Sequence, residues 1–357
     1  MLSYIYNLAT DRHKGLVAGV VKSFLYFLSL IYGLGVRVSI FIYRLKPYHL
    51  NCKVISVGNI TLGGTGKTTL VLFIAQYLKQ KGHKVAILSR GYKRKITNYQ
   101  LPITNYETMG DEPYMLKMNL GDVPVVVDTD RIRAAKLAIR DYGADTVILD
   151  DGLQQWRIKK DLDIVTIDAT RPFGNRKLIP RGILREPLSS LKRADVFVLT
   201  KTNLSPTGHK IKDFLGRINP KALQIESIHS PLGFCRLDKP GELLDINILP
   251  GKTVTLFSAI GDPDSFEGII RSLGIKIGLS FRFRDHHNYT QEELDNIIQK
   301  SKDRNIDTLV TTEKDAARLY ELRVTSYELR VLFLRIELKI IKDEQEFYNR
   351  LLGLYSY

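Results

Sequence analysis

The stretch that decides the fold is VGNITLGGTGKTT, at residues 57–69. An apolar run precedes it and a segment with helical spacing follows it, which is the strand–loop–helix context of a P-loop. Closely spaced glycines let backbone N–H groups turn towards phosphate oxygens, and the helix N-terminus adds partial positive charge. The stretch therefore predicts a nucleotide-phosphate site formed by Thr61, Leu62, Gly63, Gly64, Thr65, Gly66, Lys67 and Thr68.

Two side chains of this loop have predictable roles. Lys67 is expected to reach the β- and γ-phosphates, and the Thr68 hydroxyl is expected to bind Mg²⁺. The loop is a variant, because the strict spacing places its first glycine where this chain has Thr61.

Short apolar runs rich in β-branched residues surround the loop and alternate with segments of helical spacing. This alternation is typical of a parallel sheet covered by helices on both faces. The runs are CKVISVGNI, HKVAILSRGY, DVPVVVD, ADTVILDDG, LDIVTIDA and ADVFVLTKTN. They predict an α/β fold whose P-loop core, with a mostly parallel sheet, occupies residues 45–221.

The rest of the chain divides into three further segments. Residues 1–44 are predicted to be a membrane-associated N-terminal helix, and residues 222–325 a smaller α/β domain for substrate binding and closure. LQIESIHSPLGFCRL, at the start of that domain, could supply a short pair of strands. Residues 326–357 are predicted to add a strand and a closing helix that return to the core.

The run ADTVILDDG resembles a Walker-B strand, whose carboxylate holds the metal or its water. Asp150 and Asp151 follow its apolar residues directly. Two adjacent carboxylates repel each other unless a cation or a hydrogen-bond donor lies between them. Both are therefore candidate metal ligands, and a solvated strand end followed by a glycine turn is the plainer alternative.

Three polar clusters could orient or deprotonate an attacking hydroxyl. MGDEP contains Asp111 and Glu112, GILREP contains Arg185 beside Glu186, and FRDHHNY contains Asp285 next to His286 and His287. A carboxylate–imidazole pair could share a proton and so act as a base. Each cluster alone is more often a turn or a helix cap, and adjacent histidines that point to different faces make a poor metal site.

The N-terminal segment from Gly15 to Tyr43 is apolar apart from Lys22 and Arg37. The uncharged run between those two residues is shorter than the ~20 residues that span a bilayer. On a helix, Lys22, Ser29, Gly33 and Arg37 fall within roughly 80° of one another. We therefore expect a helix in the membrane interface with this stripe at the phosphates, a buried helix being the alternative.

Charge and cysteine content narrow the class of partner. The 357 residues carry 53 Lys and Arg against 38 Asp and Glu, a formal charge of +15 that favours polyanions or an anionic membrane surface. Nucleic acid is not expected, since no recognised nucleic-acid-binding signature accompanies the charge. The two cysteines are too few for a disulfide framework or a zinc site, which indicates a reducing compartment.

The motifs in their order resemble those of the tetraacyldisaccharide 4′-kinases, membrane-surface enzymes of lipid A assembly. The resemblance covers most of the chain and rests on the apolar N-terminal helix and on VGNITLGGTGKT, LSRGYKR, GDEP, LDDGLQ, LIPRGILREP, LTK, FRDHHNY and VTTEKDA. It implies transfer of the ATP γ-phosphate, with Mg²⁺, to the 4′-hydroxyl of a tetraacylated glucosamine disaccharide 1-phosphate. It also implies a location on the cytoplasmic face of the bacterial inner membrane, with no obligate protein partner expected.

The resemblance also assigns roles to individual residues. It implies Asp111 as the catalytic carboxylate and His286 as its partner, with Lys67, Asp150 and Arg185 completing the catalytic set. The implied metal ligands are Thr68, Asp150, Asp151 and Glu112. Two positions depart from the family pattern, Thr69 in place of a frequent proline and Gln155-Trp156 where a histidine often follows the DDG motif.

Two other functions fit parts of the sequence. LTKTN, with Thr200–Asn203 at a strand end, is placed like the guanine-reading motif of a GTPase or metallochaperone. Its last residue, Asn203, lacks the carboxylate that pairs with the guanine hydrogens. A membrane ATP switch without catalysis would use the charge and the helix equally well, but it does not require the Asp111 and His286 pair.

Overall fold

The structure is a computed structural model, and it describes residues 15–91, 110–319 and 329–356, together with 8, 10, 11, 13 and 322. Part of the LSRGYKR motif, residues 92–94, and the predicted boundary between residues 325 and 326 lie outside the described residues.

The chain forms two compact units. The first comprises Met1–Ser89, Asp130–Ile228 and Lys339–Tyr357, and the second comprises Arg90–Thr129 and His229–Leu338. The extents differ from the predicted domains chiefly at Arg90–Thr129, which groups with the second unit although the sequence placed it in the P-loop core. The grouping of this segment could not be predicted from the sequence, because it depends on contacts between residues that are far apart in the chain.

The first unit contains a parallel sheet whose strand order is β7-β6-β5-β1-β4-β2. Strands β1, β2, β4, β5 and β6 are almost completely buried, as their continuous apolar composition predicts for a sheet covered on both faces. The strands are β1 (Lys53–Gly58), β2 (Val85–Ser89), β4 (Thr146–Asp150), β5 (Leu162–Asp168), β6 (Val196–Thr200) and the first part of β7 (Leu223–Arg236).

Except for the N-terminal helix, which precedes β1, the helices of the first unit follow strands in the way the sequence predicts. Asp130 begins one of them, because its carboxylate accepts hydrogen bonds from the Ile132 and Arg133 backbone N–H groups. They are α1 (Leu16–Leu45), α2 (Lys67–Gln80), α4 (Arg131–Tyr142), α5 (Gly208–Ile218) and α9 (Glu344–Leu352).

The second unit has the strand order β10-β9-β11-β12-β7-β8, with β9, β10, β11 and β12 paired in parallel. Its strands are β3 (Val125–Val127), the second part of β7, β8 (Leu243–Leu244), β9 (Thr253–Ser258), β10 (Lys276–Arg282), β11 (Thr308–Thr312) and β12 (Arg330–Lys342). Its helices are α3 (Asp111–Leu120), α6 (Pro263–Ser272), α7 (Gln291–Lys302) and α8 (Glu313–Leu319). The α/β class and the mostly parallel sheet are thus confirmed.

One strand differs from its prediction. LQIESIHSPLGFCRL was expected to supply a short pair of strands, and it forms the single 14-residue strand β7. Its Phe234 and Cys235 pair in antiparallel fashion with Leu244 and Leu243 of β8 instead of with a second half of the same segment. Gly233 packs closely on β8, because a Cβ at this position would lie 2.9 Å from Leu243 Cδ1.

Helix α1 packs one side on the first unit and exposes the other. Ala18, Ser29, Gly33 and Val36 are buried, whereas most of its large apolar side chains are exposed. The stripe predicted to meet lipid phosphates therefore faces the protein over Ser29 and Gly33, because small residues let the helix approach closely. By length and composition, α1 is the one helix of the described residues that could cross a membrane.

Candidate active site

The P-loop is held by backbone pairing with a second segment of the first unit. The Leu62 N–H donates to the Ile183 carbonyl at 2.8 Å, and the Arg185 N–H donates to the Ile60 carbonyl at 2.8 Å. Thr61 forms an antiparallel bridge with Leu184 and does not have a positive φ, so no glycine is needed there. This pairing explains the departure at the first position of the motif.

Glycine is required at two later positions of the loop. Gly63 and Gly66 have φ values of 111° and 82°, which side chains rarely tolerate. Gly66 directly precedes α2, whose first turn reads Lys67-Thr68-Thr69-Leu70 and carries no acidic side chain. The positive end of α2 is therefore left for an anion, as the sequence predicts.

Polar side chains converge on Asp151 at the end of β4. Arg185 donates from its two terminal nitrogens to both Asp151 carboxylate oxygens at 2.8 Å, and it also donates to the Asn59 backbone carbonyl at 2.8 Å. Lys67 Nζ lies 3.3 Å from Asn59 Oδ1 and 3.6 Å from Asp151 Oδ1. The structure thus brings three predicted site residues together and adds Asn59, which the sequence analysis quoted in its motif without assigning a role.

Lys67 and Arg185 determine the ionisation state of Asp151. Burial alone would raise the pKa of Asp151, but the hydrogen bonds from Arg185 and the charge of Lys67 hold it well below its usual value. Asp151 is therefore ionised at neutral pH. Since its oxygens are bound by Arg185, its predicted role as a metal ligand competes with its role in orienting Arg185.

Asp150 and Thr68 are oxygen donors suited to Mg²⁺. Asp150 is the last residue of β4 and pairs with Val57 of β1, the strand that precedes the P-loop. The side chains of Asp150 and Thr68 are both buried. Among the described residues no three His, Cys, Asp or Glu side chains cluster as a metal site. A P-loop magnesium takes few protein ligands and completes its shell with phosphate and water, so these two residues fit the ion.

A second cluster lies in the second unit and contains Asp111 and His286. His286 Nδ1 lies 2.8 Å from Asp111 Oδ2, although the residues are 175 positions apart in the chain. Asp111 begins α3, and His286 has a φ of 60° in the loop after β10, where its N–H donates to the Ala259 carbonyl at 3.1 Å. The predicted pairing of these two side chains is therefore present.

Arg318 joins this pair and was not assigned a role by the sequence analysis. Its Nε donates to Asp111 Oδ2 at 2.7 Å, and one terminal nitrogen donates to Asp315 Oδ1 at 2.8 Å. The Arg318 side chain is 1% exposed. The available signal was position, because Arg318 lies two residues beyond the quoted VTTEKDA motif, but only the fold shows which carboxylate it meets.

Asp315 forms an ion pair with Arg318 and holds its side chain in place. It is fully buried and accepts hydrogen bonds from the Ala259 N–H at 3.1 Å and from the Thr312 hydroxyl at 2.6 Å. Burial raises the pKa of the Asp315 carboxyl, although the charge of Arg318 acts in the opposite direction. Arg318 is thus fixed by Asp315, and its guanidinium holds the Asp111 carboxylate in place.

The 2.8 Å contact between Nδ1 and the Asp111 carboxylate favours the His286 tautomer that carries its hydrogen on Nδ1, although a terminal nitrogen of Arg318 also lies 3.3 Å from Nδ1. In that tautomer the carboxylate accepts the hydrogen of Nδ1–H, which makes Nε2 the proton-accepting nitrogen of the neutral ring. A carboxylate that holds an imidazole in this tautomer is a recurring device of general-base catalysis.

Other predicted or neighbouring residues have structural partners. Glu112 pairs with Lys314 at 2.6 Å, and its role as a metal ligand stays a prediction. Glu186 is fully buried and accepts a hydrogen bond from Trp156 Nε1 at 3.1 Å, so Trp156 at the departure from the family pattern supports the loop of Arg185. His287 turns away from Asp111 and pairs with Glu293 at 2.8 Å.

The guanine-reading interpretation of LTKTN has no structural support. In a GTPase this lysine would lie beside the base, but Lys201 Nζ pairs with Asp168 at 2.8 Å and its side chain is 7% exposed. The Thr200 hydroxyl donates to the Thr65 carbonyl at 3.0 Å and so supports the P-loop.

Arg318 offers a test of how firmly Asp111 is held. We expect Arg318→Lys to lower kcat by roughly tenfold, because lysine keeps the positive charge but cannot donate to Asp111 and Asp315 together, so that the Asp111 carboxylate is less well aligned with His286. The measurement is turnover with saturating substrates, together with direct ATP titration. Arg284→Lys, the same substitution at an exposed position, is the control, and equal turnover of the two variants would contradict the argument.

The first unit contains a P-loop with a basic cluster, and the second unit contains a carboxylate–imidazole pair. These features define a P-loop phosphotransferase of the α/β class. The family model described as LpxK, tetraacyldisaccharide-1-P 4′-kinase, matches residues 21–356. The chain therefore belongs to the tetraacyldisaccharide 4′-kinase family, as its sequence motifs predict.

Individual relatives agree with this membership. A tetraacyldisaccharide 4′-kinase of Halothermothrix orenii is 35% identical, with 98% of this chain and 97% of the relative covered. Another from Elusimicrobium minutum is 39% identical, with coverage of 94% and 92%. The crystal structure of LpxK from Aquifex aeolicus in complex with ATP matches with a TM-score of 0.75 and 29% identity, covering 94% of this chain and all of that one.

Proposed function

We propose that this chain transfers the γ-phosphate of ATP to the 4′-hydroxyl of a tetraacylated glucosamine disaccharide 1-phosphate. The observation that carries the proposal is the 2.8 Å contact between Asp111 and His286 in a chain that also contains a P-loop. A nucleotide switch needs the P-loop but has no use for a carboxylate–imidazole pair that accepts a proton. The family membership supplies the identity of the acceptor, and the ATP complex of the Aquifex aeolicus relative supports the donor.

In this proposal the first unit binds the nucleotide. The loop between Gly63 and Gly66 directs backbone N–H groups to the phosphates, and Lys67 contacts the β- and γ-phosphate oxygens. Arg185 stays aligned through Asp151 and offsets negative charge. Thr68 and Asp150 would hold Mg²⁺, which when bound neutralises charge on the phosphate oxygens.

The Asp111–His286 pair activates the acceptor. His286 Nε2 takes the proton of the 4′-hydroxyl while that oxygen bonds to the γ-phosphorus, and the bond from this phosphorus to the β–γ bridging oxygen breaks to release ADP. Asp111 keeps its carboxylate on Nδ1–H and stabilises the imidazolium that forms. The proton leaves His286 to solvent after transfer.

Label transfer tests this function directly. Purified protein is incubated with γ-labelled ATP, Mg²⁺ and a tetraacyldisaccharide 1-phosphate in mixed micelles, and the lipid fraction is counted. Label is expected at the 4′-position. A folded protein that binds ATP but leaves the lipid fraction unlabelled would overturn the assignment.

The exposed side of α1 supports a membrane location. We propose that it lies in the bilayer interface on the cytoplasmic face of the inner membrane, where ATP and the anionic leaflet are both available. Its protein-facing side is occupied from Ala18 to Val36, so lipid cannot surround the helix. The exposed apolar side chains include Leu16, Val20, Phe24, Phe27, Ile31, Leu34 and Phe41.

Vesicle binding tests the helix. Phe27 is 59% exposed, and we expect Phe27→Glu to weaken binding to phosphatidylethanolamine–phosphatidylglycerol vesicles by at least about tenfold, since an apolar group is lost and a repelled charge is added. The measurement is co-sedimentation with vesicles. Leu204 is a 52% exposed apolar residue outside α1, so the Leu204→Glu variant should bind as the unmodified protein does, and equal losses in both variants would contradict the proposal.

A further inference from the structure

Helix α1 contacts the loop that carries Arg185, here called the 174–186 loop. Lys177 Nζ lies 5.0 Å from the ring centre of Tyr26, and a Cβ at Gly33 would lie 2.6 Å from Leu178 Cδ1. At the end of the same loop, the Tyr32 hydroxyl donates a 2.8 Å hydrogen bond to the Arg185 backbone carbonyl. The helix therefore packs along the loop and is not a detached anchor.

Ion pairs of Asp11 connect the 174–186 loop to the N-terminal segment and to helix α1. Asp11 accepts a hydrogen bond from Arg181 at 2.8 Å and pairs with Lys22 of α1 at 2.7 Å. The bonds from Lys22, Arg181 and Asn175 overcome the effect of burial and lower the pKa of Asp11 to about 2. Asp11 is thus charged at neutral pH and joins the loop to the helix a second time.

The same loop forms the wall of the P-loop. Ile183 and Arg185 exchange backbone hydrogen bonds with Leu62 and Ile60, as described above. The Arg185 backbone therefore has two hydrogen-bond partners. Its N–H donates to the Ile60 carbonyl, and its carbonyl accepts from the Tyr32 hydroxyl. A small rotation of this backbone is amplified at the guanidinium, which lies at the end of a long side chain and contacts Asp151 and Asn59.

We propose that Tyr32 is a positioning residue for Arg185, so that helix α1 forms part of the nucleotide site in addition to attaching the protein to lipid. Tyr32 is half-buried against the loop, and its hydroxyl is protonated at neutral pH because the ordinary pKa of tyrosine is about 10. Burial raises the pKa of Tyr32 further. The proposal rests on the function proposed above only in that the P-loop must bind ATP.

ATP titration of Tyr32→Phe tests the proposal, because this change removes the hydroxyl and keeps the ring that packs in the helix contact. We expect ATP affinity in the presence of Mg²⁺ to fall by about fivefold, the usual effect of one neutral hydrogen bond. Tyr43→Phe is the matched control, since Tyr43 lies on the same helix and its hydroxyl makes no hydrogen bond to the described residues. It should bind ATP as the unmodified protein does.

A double-mutant cycle shows whether Tyr32 acts through Arg185. In an Arg185→Ala background, Tyr32→Phe should change ATP affinity by less than about twofold, because the side chain that it positions is absent. Additive losses would overturn the proposal, and so would unchanged ATP affinity in Tyr32→Phe, even with a lowered thermal midpoint. The acceptor lipid is not used, so loss of ATP binding by the unmodified protein would instead count against the proposed function.

Discussion

His286→Asn is expected to lower kcat by roughly 10²–10⁴-fold, the contribution typical of a general base. Asparagine is chosen because it tolerates the φ of 60° at this position, so the backbone of the loop is preserved. ATP affinity should remain unchanged, because the P-loop residues are not altered. The measurement is steady-state turnover together with direct ATP titration, which separates loss of catalysis from loss of binding.

The neighbouring histidine provides a control of the same chemical type. His287 contacts Glu293 and not Asp111, and its ring stacks on Phe283 at 4.9 Å between ring centres. His287→Asn should therefore retain turnover within a few-fold. If His286→Asn turned over as fast as the unmodified protein, the base would have to be another group and the role proposed for the pair would be wrong.

Lys67→Met is expected to lower kcat by about 10²–10³-fold, because a preorganised positive charge at the transferring phosphoryl group is lost. ATP affinity should also fall, by about tenfold, since charge-assisted hydrogen bonds to the phosphates are removed while the backbone N–H groups remain. The fold should be retained, because Asp151 keeps both hydrogen bonds from Arg185.

The control for this substitution is Lys84→Met, which removes one positive charge at an exposed position before β2. It tests whether the general charge of +15, and not the position of Lys67, governs nucleotide binding. Equal effects of the two substitutions on kcat would contradict the phosphate-binding role of Lys67.

Much of the nucleotide site could be predicted because its information is local. Gly63, Gly66 and Lys67 lie within five residues of one another, and the positive φ values, the start of α2 and the end of β1 all follow from that short stretch. Asp150 was predictable for a similar reason, since the end of a buried parallel strand places its side chain beside the loop of the neighbouring strand. The family itself was predictable because its motifs occur in a specific order.

The orientation of α1 could be predicted only in part. Its length and apolar composition are properties of the segment, but the side that faces the protein depends on close packing. Ser29 and Gly33 looked like a polar stripe suited to lipid phosphates, yet their small size makes them the contact with the first unit. Helical periodicity identifies a distinct stripe without indicating what lies against it.

By itself the sequence determined the P-loop, the α/β class, the apolar helix and the family, because each of these depends on neighbouring residues or on ordered motifs. Only the tertiary structure decided that Arg318 contacts both Asp111 and Asp315, and that Tyr32 contacts the carbonyl of Arg185. The last contact joins residues 153 positions apart. Contacts of this kind depend on how strands and loops pack, and a side chain's type does not specify its distant partner.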